Sequence, residues 1–323
     1  MGFVALIFTL LLEQLRPLPA RSALGAAAEA LADGAERNLN AGHPRHGLYA
    51  WLAVVLGCTL AAAAIYAIAW QVSVFLALAV NVVALYVTLG FRQFSHPITE
   101  IQLALDAGDV DGARRTLTQW RRNEDPAFDA ADMPVDEIVR LTMERGVLLS
   151  HRHVFGVFFW FVLLPGPTGP VFYRAAEYVS RRWSRPLAPG AAIDQFGVFA
   201  RRAFAWIDWL PVRLTALGFA VVGDFEGAIY CWRQAGRARA GATDDMPATD
   251  ARTLLLAAAS GALGARVMTS ADAARVFDEP GHEGAGLAEP EPRRLHSGIG
   301  LVWRALILWL ILLLLLSLAG WLT

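Results

Sequence analysis

The residues best placed to do chemistry in this sequence are charged side chains inside apolar segments. Asp208 and Arg213 lie within Ala203–Gly223, an otherwise apolar stretch that Pro211 interrupts. A charge in such a segment is costly unless it is paired or hydrated. The pattern predicts either a polar pocket at membrane depth, where Arg213 binds an anionic group, or a structural ion pair or helix cap at the membrane surface.

A second candidate is the basic cluster His151-Arg152-His153, where a polar region meets an apolar one. Two histidines that are two positions apart do not share a helix face, so the pair does not predict a metal site. The cluster either faces an anionic ligand or places Arg152 near lipid phosphates. The sequence shows no Ser/His/Asp or HExxH arrangement and no phosphate-binding loop, and we expect no protein-bound metal.

The composition indicates which class of protein must position these residues. Of 323 residues, 56% are hydrophobic and 18% are charged, and the mean hydropathy is +0.42, whereas soluble domains carry about 25% charged residues. A disordered chain, a coiled coil and an ordinary cytosolic enzyme are therefore disfavoured. The net charge of −1 gives no basic field for nucleic acid. All 28 basic residues are arginine and there are two cysteines, which excludes lysine chemistry, a disulfide scaffold and a cysteine zinc site.

Apolar stretches of about 20 residues predict helices that span a membrane. Three stretches reach or approach that length: Gly47–Gln71, Val72–Phe91 and Ala305–Leu322. The first two predict a helical hairpin that turns near Gln71 and Ser73. Val154–Val179 and Ala203–Gly223 contain prolines and charged residues, and they predict broken or re-entrant segments packed in protein.

The predicted fold is all-α: a polytopic helical membrane protein with re-entrant or broken helices and a cytoplasmic helical module. Its predicted parts are an N-terminal membrane segment and hairpin (1–91), cytoplasmic amphipathic helices (92–150), a membrane-associated core (151–270), a flexible loop (271–299) and a C-terminal transmembrane helix (300–323). The arginines at the ends of the spans predict a bacterial inner-membrane protein with most loops in the cytoplasm and the C-terminus outside.

Several short motifs occur in a distinctive order along the chain. They are Phe158–Trp160 before a Pro/Gly turn, Tyr173-Arg174-Ala175, Leu210–Leu217 and Gly261–Arg266. Together they resemble the CobD/CbiB-type membrane proteins of cobalamin biosynthesis, the adenosylcobinamide-phosphate synthases, over roughly residues 90–270. Ile7–Leu15 and Ile207–Leu214 also resemble AmpE, a relative linked to β-lactamase induction. The candidate ligand-binding residues are then His151, Arg152, His153, Tyr173, Arg174, Asp208 and Arg213.

Three polar signatures of those synthases do not recur at the corresponding positions. Counted without gaps, they fall on Leu148–His153, Glu177–Ser180 and Thr249–Leu256. One acid of the second signature, Glu177, remains, and no polar residue of the first or third remains in place. A ligase that uses ATP to join a carboxylate to an amine must hold Mg²⁺ and phosphates, usually through carboxylates and amides. The leading hypothesis is therefore a diverged, non-catalytic protein of the AmpE-like branch that binds or senses an anionic ligand and needs no cofactor.

The hypotheses differ in their partners. A sensor would contact the lipid bilayer and an anionic lipid or cell-wall precursor. The alternative is the synthase itself, which uses Mg-ATP to join aminopropanol phosphate to cobyric acid, a corrinoid. A small transporter is a third hypothesis, but the sequence shows no inverted repeat. Small residues at Ala61–Ala64 and at Ala257, Gly261 and Gly264 allow close helix packing, within one chain or in a homo-oligomer.

Overall fold

The computed structural model describes residues 2–15, 23–40, 44–184, 195–240, 247–277 and 287–322. These residues are almost entirely helical; they contain no β-strand, only an isolated bridge between Ala265 and Ala288. The predicted all-α fold is confirmed. The helices are α1 (Gly2–Leu15), α2 (Ala23–Leu39), α3 (Pro44–Trp51), α4 (Gly57–Val72), α5 (Val74–Thr88), α6 (Phe91–Asp106), α7 (Val110–Arg122), α8 (Val135–Ser150), α9 (Gly156–Leu163), α10 (Thr168–Arg182), α11 (Gln195–Ile207), α12 (Trp209–Val222), α13 (Phe225–Ala240), α14 (Pro247–Leu263), α15 (Ser270–Phe277) and α16 (Pro292–Leu322).

Several helices are long and apolar enough to cross a membrane. Among the described residues these are Arg45–Val72, Val135–Leu163 and Pro292–Ala319. Two bent pairs qualify when each is taken together: α5 with α6, bent by 42°, and α11 with α12, bent by 46°. The chain is therefore a multi-pass membrane protein with broken helices, as predicted. Val72–Phe91 is not one straight span, since the helix breaks at Leu89-Gly90.

The helix from Val135 to Leu163 runs across residue 150, where the sequence predicts a boundary between the cytoplasmic module and the core. It remains continuous because the π-helical turn His151–Phe155 joins α8 to α9. Charged residues give α8 the pattern of a solvated helix. In the structure, however, Arg140 is buried and lies 2.6 Å from Glu137 and 2.7 Å from Glu144. Because these charges are paired, the helix can pack inside the protein.

The predicted turns are confirmed in their positions. α4 ends at Val72, and Ser73 begins α5 by accepting a hydrogen bond from the Phe75 N–H at 3.2 Å. α9 ends at Leu163, before two prolines that cannot continue a helix. Gly166 lies between those prolines with φ of 62°, a conformation that favours glycine.

The sequence predicts a flexible loop over residues 271–299, whereas both ends of this segment are helical. Thr269 caps α15, because its hydroxyl accepts a hydrogen bond from the Asp272 N–H at 3.0 Å. Pro292 occupies the first position of α16, where the missing N–H costs nothing. Residues 278–286 lie outside the described residues.

α13 and α14 pack closely because small residues line their contact. A Cβ on Gly261 would lie 2.2 Å from the Gly227 carbonyl oxygen, and Ala257 is fully buried. The predicted small-residue seam on α14 therefore packs within the chain.

We expect Gly261→Ala to lower the melting temperature of the detergent-solubilised protein, because the added methyl group would push α13 and α14 apart. Overpacking of this kind typically costs about 1–3 kcal/mol. Gly236→Ala on α13 is the matched control, since a Cβ there meets nothing within 4 Å, and it should be neutral or stabilising by up to about 1 kcal/mol. Equal melting temperatures for the two variants would contradict the proposed close contact.

Candidate functional site

The candidate site forms where three helical elements meet around a buried carboxylate. His151 opens the π-helical turn between α8 and α9, Asp208 lies at the bend between α11 and α12, and Tyr173 lies on α10. A π-helical turn inserts an extra residue and shifts the side chains that follow, and such turns are frequent at functional sites. All three side chains are buried.

Asp208 is the acceptor at the centre of this site. Its Oδ1 accepts one hydrogen bond from His151 Nε2 and one from the Tyr173 hydroxyl, each at 2.9 Å. Burial, with the charge of Asp208 adding to it, raises the pKa of Tyr173 well above its usual value, so the phenol stays protonated and donates. The Asp208 side chain makes no capping bond to α12. It is therefore a buried carboxylate held by donors from two other elements.

Thr215 extends this network on the far side of the imidazole. Its Oγ1 lies 2.9 Å from His151 Nδ1 and also 2.9 Å from the Pro211 carbonyl oxygen. The hydroxyl has one proton to donate. If it donates to Pro211, Nδ1 must carry a proton and the imidazole is charged; if it donates to Nδ1, the imidazole is neutral. The Thr215 hydroxyl can thus serve His151 either as a donor or as an acceptor.

A cavity of about 250 Å³ opens beside Asp208. Its polar lining comprises Arg152, Arg181, Arg201, Arg252, Glu177, Asp208, His151, Ser180 and Ser184. Four guanidinium groups thus face two carboxylates. The Nε of Arg201 is buried and has no hydrogen-bond partner within the described part of the chain. Guanidinium groups bind phosphate and carboxylate oxygens in pairs, so this cavity is suited to an anion.

Glu177 orders the arginines on one wall of the cavity. Its carboxylate lies 3.2 Å from Arg174 Nη1 and 3.2 Å from Arg181 Nε. Burial by itself would raise the pKa of Glu177, but the charges of Arg181, Arg174 and Arg152 outweigh burial and lower this pKa to about 2. The carboxylate is therefore ionised at any physiological pH.

The structure brings together only some of the residues that the sequence predicts as a site. His151, Arg152 and Asp208 line the cavity, Tyr173 bonds to Asp208, and Arg174 pairs with Glu177. His153 does not line the cavity. Its Nδ1 lies against Gly90, where an added Cβ would be only 2.3 Å away.

Arg213 does not pair with Asp208, contrary to the prediction from the sequence. Its guanidinium lies 4.0 Å from the centroid of the Trp209 ring and donates to the Trp209 carbonyl at 2.8 Å. It lies five positions after Asp208 in the sequence, which places the two side chains about 140° apart around the helix. Arg213 is not among the residues that line the cavity.

Part of the site is not among the residues predicted from the sequence. Thr215, Arg181, Arg201 and Arg252 complete it, and their positions follow from how four helices meet. The only available signal was the number of arginines in loops between apolar stretches, which also fits membrane topology.

Comparison with known proteins identifies relatives over nearly the whole chain. The family model described as "CobD/Cbib protein" matches residues 3–302. The cobalamin biosynthesis protein CobD of Stutzerimonas stutzeri is 28% identical over 328 residues, covering 99% of this chain and 98% of that protein. The protein of the same name from Chromobacterium violaceum is 29% identical over 154 residues, covering 48% and 46%. No solved structure matches the chain.

These comparisons confirm the resemblance to the CobD/CbiB type and correct the function inferred from it. The leading hypothesis of a non-catalytic sensor in an AmpE-like branch is wrong, because the relatives bear the name of a cobalamin biosynthesis protein and one of them matches from end to end. Neither a signalling role nor the AmpE-like assignment receives support. The expectation of a protein without enzymatic activity is likewise unsupported by these relatives.

We expect Glu177→Gln to lower the melting temperature at pH 7, since Arg174 and Arg181 would lose their buried counter-charge. In the wild type this stabilisation is complete above the ordinary pKa of 4.5 and is lost as the pH falls through about 2. The difference between wild type and variant should therefore shrink from pH 4.5 downward, as measured by thermal unfolding in detergent. Glu226→Gln, which changes an exposed glutamate, is the control. A difference that does not depend on pH would contradict the assigned charge pairing.

Proposed function

Because the chain belongs to the CobD/CbiB protein family, we propose that it acts in cobalamin biosynthesis as an adenosylcobinamide-phosphate synthase. In that reaction, ATP drives formation of an amide between a carboxyl group of cobyric acid and the amino group of aminopropanol phosphate. The observation that carries the proposal is the cavity in which arginines face the buried carboxylate of Asp208.

The two kinds of charge in this cavity match the two ends of the small substrate. Aminopropanol phosphate carries a phosphate and an ammonium group. In the proposed complex, Arg201 and neighbouring arginines bind the phosphate through the N–H groups of their guanidinium groups. Asp208 uses Oδ1 for His151 and Tyr173, which leaves Oδ2 for the ammonium group.

The volume of the cavity indicates which of the two substrates it can enclose. Sites that enclose drug-sized ligands measure about 300–1,000 Å³, whereas this cavity measures about 250 Å³. It therefore suits a small phosphate ester. The much larger corrinoid would lie outside it and present its carboxyl group at the opening.

The buried network supplies a place for the proton that the reaction releases. An ammonium group must lose a proton before its nitrogen can attack a carboxyl carbon. Asp208 holds that ammonium group in the proposed complex, and His151 lies 2.9 Å behind it with a second nitrogen bonded to Thr215. We propose that ATP first phosphorylates the carboxyl group, releasing ADP, and that the ammonium group gives one proton to this network. The neutral amine then attacks the acyl phosphate, and phosphate leaves with the second proton as the carbon–nitrogen bond forms.

The residues of the cavity fit phosphate groups better than a resident Mg²⁺. Protein sites for Mg²⁺ use one or two carboxylates together with substrate phosphates. Glu177 already pairs with two arginines, and Asp208 accepts from His151 and Tyr173. The described residues also contain no group of three or more His, Cys, Asp or Glu side chains that could hold a metal ion. In our proposal Mg²⁺ therefore enters only as part of Mg-ATP.

We further propose that the protein lies in the bacterial inner membrane with most loops in the cytoplasm and the C-terminus outside. The distribution of arginine around the spans supports this orientation. The site would then be open to the compartment that supplies ATP.

A complementation experiment tests the proposed function. We expect the wild-type gene to let a bacterial strain that lacks cobinamide-phosphate synthase grow on cobyric acid, and Asp208→Asn to abolish growth because the substrate ammonium loses its counter-charge. Arg213→Gln should grow like the wild type, since Arg213 does not line the cavity. Membrane levels of all three proteins are compared by immunoblot. Failure of the well-expressed wild type to support growth would overturn the proposal.

Kinetics of the purified protein test the phosphate-binding role. Arg201→Gln should raise the KM for aminopropanol phosphate about 10- to 100-fold, because a hydrogen bond to a charged group contributes about 1.5–3 kcal/mol. The KM for the corrinoid should change little, and Arg213→Gln should leave both unchanged. An equal rise in both KM values for Arg201→Gln would contradict a separate phosphate site.

A further inference from the structure

A second cavity, of about 350 Å³, lies between α6, α8 and α16. Most of its lining is apolar: Phe91, Phe94, Ile98, Met143, Val147, Leu295, Ile299, Val302 and Trp303. On α8 it is bordered by Thr142, Met143, Gly146 and Val147, whereas the arginine-lined cavity is bordered by Leu148, His151 and Arg152. At 3.6 residues per turn these two sets lie on nearly opposite sides of the helix. The apolar cavity is therefore separate from the proposed catalytic site.

This cavity lies at the level where the apolar spans end. Gln14 is near the end of α1, Phe91 begins α6 directly after the break that follows α5, and Trp303 precedes the long apolar run of α16. The Trp303 ring packs edge-on against Phe91 with centroids 4.9 Å apart, and 41% of Trp303 is exposed. Tryptophan is typical of the boundary between the hydrocarbon and the lipid headgroups.

The polar part of the cavity lies along one side of α6. Arg92, Ser95, His96 and Thr99 recur at helical spacing and line the cavity together with Gln14. Arg92 Nη1 donates to the Gln14 carbonyl at 3.2 Å, and a guanidinium group has further N–H donors for a ligand. The His96 imidazole pairs with Glu100 at 3.2 Å. The cavity thus combines an apolar interior with a cationic group at one end.

We propose that this cavity binds an acyl chain of an anionic phospholipid whose phosphate group lies against Arg92. A ligand must be apolar over most of its length to gain from this lining, since the gain is proportional to the apolar surface removed from water. It must also carry a negative charge at one end to match Arg92. Membrane lipids meet both conditions and reach this level of the protein from the bilayer itself.

Two glycines create the space for the chain. Gly146 and Gly298 line the cavity from α8 and α16; a Cβ on Gly146 would lie 2.7 Å from Cδ1 of Ile98, and one on Gly298 would lie 3.4 Å from the Cγ and Sδ of Met143. A leucine at position 298 would therefore extend into the cavity. Gly300, on the same helix, does not line the cavity, and a Cβ there meets nothing within 4 Å. Gly298→Leu and Gly300→Leu thus form a matched pair.

The test uses full-length protein in nanodiscs that contain phosphatidylglycerol with a diazirine on one acyl chain. After irradiation, the labelled peptides are identified by mass spectrometry. We expect labelling of residues 91–99 and 295–303 in the wild type, a decrease of about tenfold in Gly298→Leu and no decrease in Gly300→Leu. If Gly298→Leu does not yield monodisperse protein, Ile299→Phe fills the same cavity. Labelling that persists in the filled variant would overturn the proposed site.

Competition with unlabelled lipid tests the role of Arg92. Phosphatidylglycerol should displace the probe from the wild type better than phosphatidylcholine. This preference should disappear in Arg92→Gln and remain in Arg304→Gln, which changes an arginine outside the cavity. Equal competition by both lipids in the wild type would contradict the proposed preference for an anionic headgroup. Displacement of the probe by a corrinoid would contradict the proposed lipid site and would indicate that the cavity binds the corrinoid substrate.

Discussion

The site depends on keeping one carboxylate, Asp208, buried and charged inside a membrane protein. An unpaired buried charge costs several kcal/mol, so the groups that solvate it must be held firmly in place. His151 and Tyr173 provide that solvation from two other helical elements, each through a hydrogen bond of 2.9 Å. His151 lies in the π-helical turn and Asp208 at the bend between α11 and α12, so both contributing segments depart from a regular straight helix at the site.

The same need for pairing explains the walls of the cavity. Glu177 is ionised because Arg174 and Arg181 surround it, and in return it holds both guanidinium groups in position. On the neighbouring helix, Glu144 bonds to Arg140 and to Arg252, which links a buried ion pair to the cavity wall. The buried Nε of Arg201 has no hydrogen-bond partner among the described residues. A site for a phosphate-bearing substrate requires guanidinium groups beyond those that the buried carboxylates already pair with.

The error in the predicted function has a specific cause. The non-catalytic hypothesis depends on counting three signatures without gaps. In the first, Leu148, Leu149 and a His-Arg-His cluster replace acidic residues, and in the second only Glu177 remains. The carboxylates of the site come from other helices, Glu177 from α10 and Asp208 from the start of α12. A gap-free count along the chain compares sequence positions, whereas chemistry depends on which side chains converge in space.

The sequence by itself determined the membrane class, the all-α fold, the hairpin turn near Ser73 and the break at Pro165–Pro167. These features depend on local properties: the hydropathy of about 20 residues, the missing N–H of proline and the capping ability of serine. It also singled out His151, Arg152 and Asp208, because charge in apolar surroundings is visible without a fold. Only the tertiary structure decided that Asp208 pairs with His151 and Tyr173 rather than with Arg213, five residues away. Side-chain partners from distant segments depend on how helices cross and rotate, and no local pattern in the chain records those angles.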